Sequence, residues 1–309
     1  MKKKIFYTLI IIFIGLILLK LLDNYFYKVY GLGKPLLYQY SKVTGYNIKP
    51  SQKLRRLGNE IVINDSGMRS NSKWTTSGKN LKILFFGDSV TYGGSIVSNN
   101  DLFSEITCRN IELINPQIKS LCGNYGVNGY GIEQIYRKIK FKKIKDEDFL
   151  IITMIENDLE RGFNNLASQP FWSKEIKNFY PAITEIIFIY LEKFKNNIKF
   201  TFNKNKNDEN INQYYGFILE NFYETLMVNK KQYLIVYSPS VSEIENKKNN
   251  LFKDFLRENF INFIDLSENK YSLNKKMFND EFHLNKLGHK TYADIISKEV
   301  VKIIGKEFN

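Results

Sequence analysis

A serine stands at the end of an apolar run in the segment LKILFFGDSVTYGG, Leu81–Gly94. The run predicts a buried strand, and Ser89 follows it directly behind a glycine and an aspartate. A serine hydroxyl is a poor nucleophile at neutral pH and needs a neighbouring base. The chain contains two histidines, His283 and His289, so a serine-based reaction has two candidates for that base.

His283 has an aspartate three residues before it, in the segment NDEFHLNKLGH. On one turn of chain, Asp280 could hold one ring nitrogen of His283 so that the other nitrogen faces Ser89. A loop carboxylate beside a partly buried histidine gives the same short pattern, so this pair alone does not establish a base. His289 lies inside a predicted helix, and we expect it to pack against the domain or to lie on its surface.

Four short blocks follow one another along the chain. Ser89 comes after Gly-Asp at one strand end, Asn124–Gly129 forms a tight glycine-rich turn, Asn157 follows a second strand, and Asp280–His283 come last. This order resembles the SGNH hydrolases, which are also called the GDSL esterase/lipase family. The chain lacks Gly-x-Ser-x-Gly, which argues against the nucleophile elbow of the α/β-hydrolases.

The resemblance implies a role in ester hydrolysis for one residue or more of each block. Ser89 would be the nucleophile, His283 the base, and Asp280 the acid that orients the base. The oxyanion would be bound by the backbone N–H groups of Ser89 and Gly129 and by the side-chain amide of Asn157. Losing one such donor can cost on the order of 10²–10³ in rate. We expect neither a cofactor nor a metal.

The chain departs from the family pattern in two places. Ile155-Glu156 precede Asn157 where the family usually has Gly-x, which concerns the turn geometry more than the amide donor. A segment at about 159–230 is longer than a minimal family member needs. The pattern Asn64-x-x-Gly67-x-Arg69 looks like a feature of membrane-anchored bacterial members, and we interpret Arg69 as a structural ion-pair partner.

The elements that must position these residues are strands alternating with helices, which predict an α/β fold with a parallel sheet covered on both faces. The resemblance implies a three-layer α/β/α arrangement with a mostly parallel, flavodoxin-like sheet. Ser89, Asn157 and Ser238 all follow strand ends, where such folds bind ligands. The predicted strands are Leu81–Phe86, Phe149–Met154, Tyr233–Tyr237 and Phe260–Leu266; the predicted helices include Ser98–Asn110 and Ile132–Phe141, and Cys122–Gly131 is predicted to be a glycine-rich turn.

The amino terminus predicts a membrane anchor. Three lysines precede an apolar run at Ile5–Leu22, which is near the lower length limit for crossing the hydrocarbon of a bilayer. The bulky residues after the run do not suit a signal-peptidase site, so we expect an uncleaved signal anchor. The lysines favour a cytoplasmic amino end and therefore an extracytoplasmic body, periplasmic or at the cell surface.

This reading divides the chain into three parts. Residues 1–22 would be a cytoplasmic tip and transmembrane signal anchor, and 23–80 a juxtamembrane linking region. Residues 81–309 would be the hydrolase domain, with a helical insertion at about 159–230. Cys108 and Cys122 could form a disulfide in an oxidising compartment, or they could be two small buried thiols.

The net charge is +13, from 45 Lys and Arg against 32 Asp and Glu. The lysines are scattered among asparagines, which is typical of a solvated surface. The chain has no zinc-finger spacing, helix-turn-helix pattern or RNA-binding aromatic signature, so we expect no nucleic-acid partner. The sequence does not indicate the oligomeric state.

We therefore expect a serine esterase that hydrolyses acyl esters. Its partner would be a small ester or an acylated glycan, with acetyl as the acyl group. We expect a glycan of the cell envelope or the extracellular space, because the anchor places the domain there. An O-acyltransferase of a polysaccharide would use the same residues, and a catalytically inactive glycan-binding module is a further alternative. Aromatic residues of the insertion could stack on sugar rings or pack onto the domain: Phe163, Phe171, Trp172, Phe179 and Tyr180.

Overall fold

The computed structural model describes residues 2–71, 74, 81–142, 149–166, 181–191, 209–227, 232–246, 251–260 and 262–305. It begins with helix α1, Lys2–Tyr25, which continues into a π-helical turn at Phe26–Tyr30. The apolar side chains of α1 are exposed, and the segment Lys3–Tyr30 is long and apolar enough to cross a membrane. The same features would suit a signal sequence.

Two β-hairpins follow the first helix. Strands β1 (Tyr38–Ser41) and β2 (Gly45–Ile48) pair antiparallel, as do β3 (Gln52–Arg56) and β4 (Asn59–Ile63). The second hairpin turns at Leu57-Gly58, where both residues have positive φ angles of 47° and 81°, as a type I′ turn requires.

These hairpins lie in the segment 23–80 that the sequence reading treats as a linking region. Tyr46, Ile61 and Ile63 of the hairpins are buried in a core cluster that also includes residues of the central sheet. The two hairpins are therefore part of the packed body, although the division of the chain into domains stays a prediction.

The central sheet has five parallel strands in the order β6-β5-β7-β8-β9. The strands are β5 (Leu81–Phe86), β6 (Ser120–Asn124), β7 (Phe149–Met154), β8 (Tyr233–Tyr237) and β9 (Phe263–Asp265). Numbered from the first of these strands, the order is 2-1-3-4-5, which is that of flavodoxin-like folds. The predicted fold class is confirmed, and three of the four predicted strands have the predicted bounds.

Two local predictions differ from the structure. The segment Cys122–Gly131, predicted to be a turn, contains the end of β6, because a strand at the sheet edge needs fewer apolar residues than a central strand. The helix predicted at Ser98–Asn110 begins later: a 3₁₀ turn at Asn99–Asp101 precedes α3, Phe103–Ile114.

Helices cover both faces of the sheet. One face carries α4 (Ile132–Phe141), α7 (Glu209–Met227), α9 (Leu251–Asn259) and the hairpins. The opposite face carries α3 and α10 (Lys286–Gly305). Alternate residues of β5 serve the two faces, since Leu84 and Phe86 join the first core cluster and Ile83 and Phe85 the second. Shorter helices are α2 (Ser89–Tyr92), α5 (Asn157–Glu160), α6 (184–191) and α8 (Val241–Asn246).

A disulfide joins the edge strand to the helix before it. Cys108 of α3 and Cys122 of β6 are bonded, with their Cα atoms 5.9 Å apart. This answers the question that the sequence left open between a disulfide and two thiols.

Helix α6 of the insertion is fastened to the end of α1 and to the chain that follows it. A carboxylate oxygen of Asp23 accepts a hydrogen bond from the Ile183 N–H at 2.9 Å, near the start of α6. Glu185 is fully buried and accepts two hydrogen bonds from the Arg56 guanidinium, at 2.9 and 2.7 Å, and one from the Gly33 N–H. Helix α6 is thus held against the second hairpin and the end of the apolar helix.

Arg69 is completely buried, and its environment corrects the expectation of an ion pair. Its guanidinium donates hydrogen bonds to the backbone carbonyls of Tyr92, Gly94 and Val97 and, at 3.1 Å, to Oδ1 of Asn99. In the described part of the chain it has no carboxylate partner. Arg69 therefore holds the loop that follows α2 in place through backbone acceptors.

We expect the change Arg69→Met to destabilise the protein by about 3 kcal/mol, because it leaves several buried carbonyls without donors. For a domain of this size, that loss lowers the Tm by roughly 6–12 °C. The measurement is thermal unfolding of the full chain in detergent. Arg55→Met is the control, because Arg55 is exposed and its one hydrogen bond is a long one, 3.4 Å to the Val29 carbonyl. Equal Tm values for the two variants would contradict the role given to Arg69.

Candidate active site

Ser89 is positioned by the turn between β5 and α2. Gly87 has a φ of 156°, and a Cβ atom there would lie 2.1 Å from the Thr91 hydroxyl oxygen and 2.6 Å from the Thr153 carbonyl oxygen. A side chain at this position would therefore clash with backbone. Asp88 caps α2, since its Oδ1 accepts a hydrogen bond from the Val90 N–H at 2.8 Å. The turn leaves Ser89 half-buried at the carboxyl edge of the sheet.

A chain of hydrogen bonds connects Ser89 to the last block. The Oγ atom of Ser89 lies 2.9 Å from Nε2 of His283. The other ring nitrogen, Nδ1, lies 2.9 Å from each carboxylate oxygen of Asp280. Because a carboxylate accepts hydrogen bonds, Nδ1 carries the proton and donates it in a hydrogen bond to Asp280. Nε2 is then unprotonated and can accept the proton of the serine hydroxyl.

The short turn that carries Asp280 and His283 is itself well ordered by hydrogen bonds. Oδ1 of Asp280 accepts from the backbone N–H groups of Phe282 at 3.0 Å and His283 at 2.9 Å. Partial burial raises the pKa of Asp280, but these two bonds and the imidazole outweigh it, and the net effect lowers the pKa. Asp280 is therefore a carboxylate at neutral pH and can stabilise a positive imidazole.

The three donors predicted for the oxyanion make no hydrogen bond in the described part of the chain. Among the described residues, the backbone N–H groups of Ser89 and Gly129 and the side-chain amide of Asn157 have no hydrogen-bond partner. All three residues are half-buried. Gly129 has a φ of 77° in a tight turn that ends at Tyr130. Gly126 differs, because its N–H already donates to the Asn124 side chain at 2.9 Å.

One guanidinium nitrogen links the segments that carry these donors. NH1 of Arg161 contacts Oδ2 of Asp88 at 2.8 Å, Oδ1 of Asp158 at 3.0 Å and the carbonyl oxygen of Tyr130 at 3.2 Å. These partners are neighbours in sequence of Ser89, Asn157 and Gly129, one partner for each.

Sequence reasoning did not find Arg161. The two aspartates that Arg161 contacts also make local backbone contacts: Asp88 caps α2, and Asp158 accepts from the Ile155 N–H at 3.0 Å. A signal was present, because two carboxylates that follow strand ends become buried together and need a cation. Arg161 is the first basic residue after Asp158.

The electrostatics of this cluster are finely balanced. Burial raises the pKa of Asp158, and the neighbouring charge of Asp88 raises it further, so that it lies well above the ordinary value although Arg161 opposes the shift. Burial lowers the pKa of Arg161, but the two carboxylates outweigh burial and raise it. The guanidinium is therefore the charge that allows the two acids to lie together.

The remaining candidates, His289 and Ser238, make packing contacts and are not part of the hydrogen-bonded chain from Ser89 to Asp280. His289 is fully buried; its ring stacks on Phe103 at 5.6 Å between centroids, and its Nδ1 accepts from the Phe103 N–H at 3.2 Å. Burial, together with the charges of Arg69 and His283, lowers the pKa of His289 to about 3. Ser238 is buried, and its hydroxyl lies 2.9 Å from the Tyr292 hydroxyl. Both residues serve packing.

The aromatic residues predicted for the insertion are described only in part. Phe163 is 39% exposed, and the Arg137 guanidinium lies over its ring at 5.0 Å from the centroid. Phe171, Trp172, Phe179 and Tyr180 lie outside the described residues.

Comparison with known proteins gives a family. A family model for GDSL-like lipases and acylhydrolases matches residues 83–296. That range contains Ser89, Gly129, Asn157, Asp280 and His283. A comparison with curated proteins finds no match.

Several solved structures resemble the chain. A lipolytic G-D-S-L family protein from Veillonella parvula DSM 2008 is 13% identical, with 73% of this chain and 98% of that chain covered and a TM-score of 0.40. A catalytic mutant of Axe2, an acetylxylan esterase from Geobacillus stearothermophilus, is 14% identical, with 75% and 97% covered and a TM-score of 0.43. A lipase/acylhydrolase from Enterococcus faecalis is 13% identical, with 71% and 95% covered and a TM-score of 0.42.

We expect Arg161→Met to lower the stability by about 3 kcal/mol at pH 8, because it leaves two buried carboxylates without their cation. The stability deficit should shrink at pH 5. In the variant the folded-state pKa of Asp158 rises further above its unfolded value, so stability present at low pH is lost as the pH rises towards that folded-state pKa. The measurement is the Tm of wild type and variant across this pH range.

Arg55→Met is the control for the Arg161 variant as well. Arg55 is exposed, and among the described residues it has no carboxylate partner, so its loss should cost little and should not produce this pH dependence. A deficit for Arg161→Met that stays constant from pH 5 to pH 8 would show that the two acids do not depend on this cation.

Proposed function

The chain belongs to the GDSL-like lipase/acylhydrolase family and is an ester-hydrolysing serine hydrolase, and on this basis we propose that Ser89 is its nucleophile, His283 its base and Asp280 the acid that orients the base. The observation that carries the assignment is the continuous hydrogen-bonded chain from Ser89 through His283 to Asp280. A serine becomes reactive when an adjacent base can take its proton, and the ring is placed to do so.

In the first half of the proposed reaction, the Oγ atom of Ser89 attacks the ester carbonyl carbon while Nε2 of His283 takes the hydroxyl proton. Asp280 stabilises the imidazolium that forms. The negative oxygen of the tetrahedral intermediate is held by the N–H groups of Ser89 and Gly129 and by the Asn157 amide. His283 then gives its proton to the leaving alcohol, and the acyl group stays on Ser89.

Water completes the reaction by the same route. It attacks the acyl-serine carbonyl as Nε2 of His283 takes its proton, and the acid leaves when the proton returns to Ser89. The side chains of His283 and Asp280 are 30% and 57% exposed, so the proposed base is accessible to water in the described part of the chain.

The proposed substrate is an acyl ester, with acetyl as the acyl group, on a glycan of the cell envelope or the extracellular space. The exposure of the His283 and Asp280 side chains supports a polymer substrate. A glycan chain can lie across an exposed edge, whereas a deep pocket would admit only a chain end or a small ester. The proposed location supports the same substrate class.

The proposed location is a membrane-anchored domain outside the cytoplasm. The apolar segment 5–22 would cross the bilayer with Lys2–Lys4 on the cytoplasmic side. The Cys108–Cys122 disulfide supports this orientation, because disulfides persist in oxidising compartments.

A reporter enzyme that is active only when exported, fused after Asn309, should be active in intact cells and should sediment with the membranes. A reporter that works only in the cytoplasm, fused at the same position, is the control and should stay inactive. Activity of the cytoplasmic reporter alone would contradict the proposed orientation.

Replacing Ser89 or His283 should stop turnover. Ser89→Ala and His283→Ala are expected to lower kcat for p-nitrophenyl acetate by at least about 10³-fold, because each removes a reacting group. Asp280→Asn should cost less than either, since Nδ1 can keep a partner there. The measurement is steady-state kinetics on the folded full-length variants, together with mass spectrometry of Ser89 after treatment with a fluorophosphonate probe.

His289→Gln is the control for the histidine assignment. It should lower the Tm, because His289 is buried, while the folded fraction keeps its turnover number. If this change abolished turnover and His283→Ala did not, the base would be wrongly assigned.

If acyl groups passed from the donor to an added glycan in preference to water, the transferase alternative would replace the hydrolase.

A further inference from the structure

A pocket lies between the first hairpin and helix α4, apart from the proposed catalytic residues. Its volume is about 240 Å³, and none of Ser89, Asp280 and His283 lines it. Tyr125 forms part of its wall and belongs to the same turn segment as Gly129, so a group bound there would contact the loop that carries an oxyanion donor.

The charged residues that line this pocket in the described part of the chain are two lysines of the α4 region, Lys138 and Lys142. The Lys138 side chain is buried, and its ammonium donates to the Tyr125 carbonyl oxygen at 3.1 Å. It also lies 5.2 Å from the centroid of the Tyr125 ring and 5.3 Å from that of Tyr130. The Lys142 ammonium lies over the Tyr125 ring at 4.6 Å. The two positive charges therefore flank one aromatic ring.

Among the described residues, no acidic side chain lines the pocket, and neither ammonium has a carboxylate partner. Lys253, another buried lysine, lies near two carboxylates, Glu243 at 3.7 Å and Asp265 at 3.9 Å. Arg69 has no carboxylate, but its guanidinium donates hydrogen bonds to four oxygen atoms. Among the described residues, the Lys138 ammonium has one hydrogen-bond acceptor and no carboxylate.

An unpaired buried ammonium is costly, because the protein interior solvates it less well than water does. Burial, and then the charge of Lys142, lower the pKa of Lys138 well below the ordinary lysine value. An ammonium has three N–H donors, and one of them is used by Tyr125. An oxyanion in the pocket would accept hydrogen bonds from the remaining N–H groups of the ammonium and would supply a negative charge beside it.

We infer that this pocket binds an oxyanion, a carboxylate or phosphate group, through Lys138 and Lys142. Resting on the function proposed above, the inference further assigns the enzyme to acidic acylated glycans, whose charged sugar residues would occupy the pocket while an acyl group lies at Ser89. The aromatic wall suits a sugar ring, and the ammonium groups suit its acidic substituent.

The first experiment measures binding by calorimetry on the full-length protein in detergent at pH 7, with galacturonate and inorganic phosphate as probes. Galactose is the neutral control. Wild type should bind at least one acidic probe and should not bind galactose. Lys142→Met should weaken this binding roughly tenfold or more, because it removes one charged partner. The stronger of the two acidic probes identifies the anion.

Lys140→Met is the matched control. Lys140 is exposed on the same helix, so the variant loses one charge of equal sign without changing the pocket. It should bind the acidic probes as wild type does. Lys138→Met should abolish binding if the variant folds, and Lys142→Met tests the same site where it does not. Absence of binding by wild type, or equal binding by wild type and Lys142→Met, would overturn the inference.

The second experiment compares substrates. Lys142→Met should raise the KM for O-acetylated polygalacturonate about tenfold, while kcat, the KM for acetylated xylan and turnover of p-nitrophenyl acetate stay unchanged. Equal loss on both polymers would overturn the substrate assignment. If wild type turns over p-nitrophenyl acetate and binds galacturonate but deacylates neither polymer, the glycan substrate fails while the pocket stands. Failure of Ser89→Ala to stop turnover would count against the catalytic proposal alone.

Discussion

The contact of Arg161 with Asp88, Asp158 and the Tyr130 carbonyl is the interaction on which the site depends. A parallel sheet brings strand ends to one edge, but it does not align the loops that leave those ends to within a fraction of an ångström. Here a single guanidinium nitrogen touches all three loops at 2.8–3.2 Å. Its removal would leave two buried like charges side by side, so the loops and the cation are stable only together.

The sheet order explains why those three loops are neighbours. Strand β5 lies between β6 and β7. The next strand along the chain, β6, is added on one side of β5, and the one after it, β7, is added on the other side. Ligand sites of such folds form at this switch point. The turn after β5 carries Ser89, the turn after β6 carries Gly129, and the turn after β7 carries Asn157. His283 approaches from the turn before α10, a helix on the α3 face of the sheet.

The sequence predicted best those elements whose pattern is local. Central strands are buried on both faces and read as continuous apolar runs, so β5, β7 and β8 have the bounds expected of them. The edge strand β6 contains serine, glycine and asparagine and resembles a turn. The hairpins, the carbonyl contacts of Arg69 and the bridging role of Arg161 depend on residues far apart in the chain, and no short window of sequence contains them.

Exposure at the site distinguishes the two reactions that its residues could perform. A transferase must keep water away from its acyl-serine long enough for a sugar hydroxyl to attack. In the described part of the chain the side chains of His283 and Asp280 remain open to solvent, so water can reach the proposed base. Hydrolysis is therefore the outcome that this arrangement of base and solvent favours.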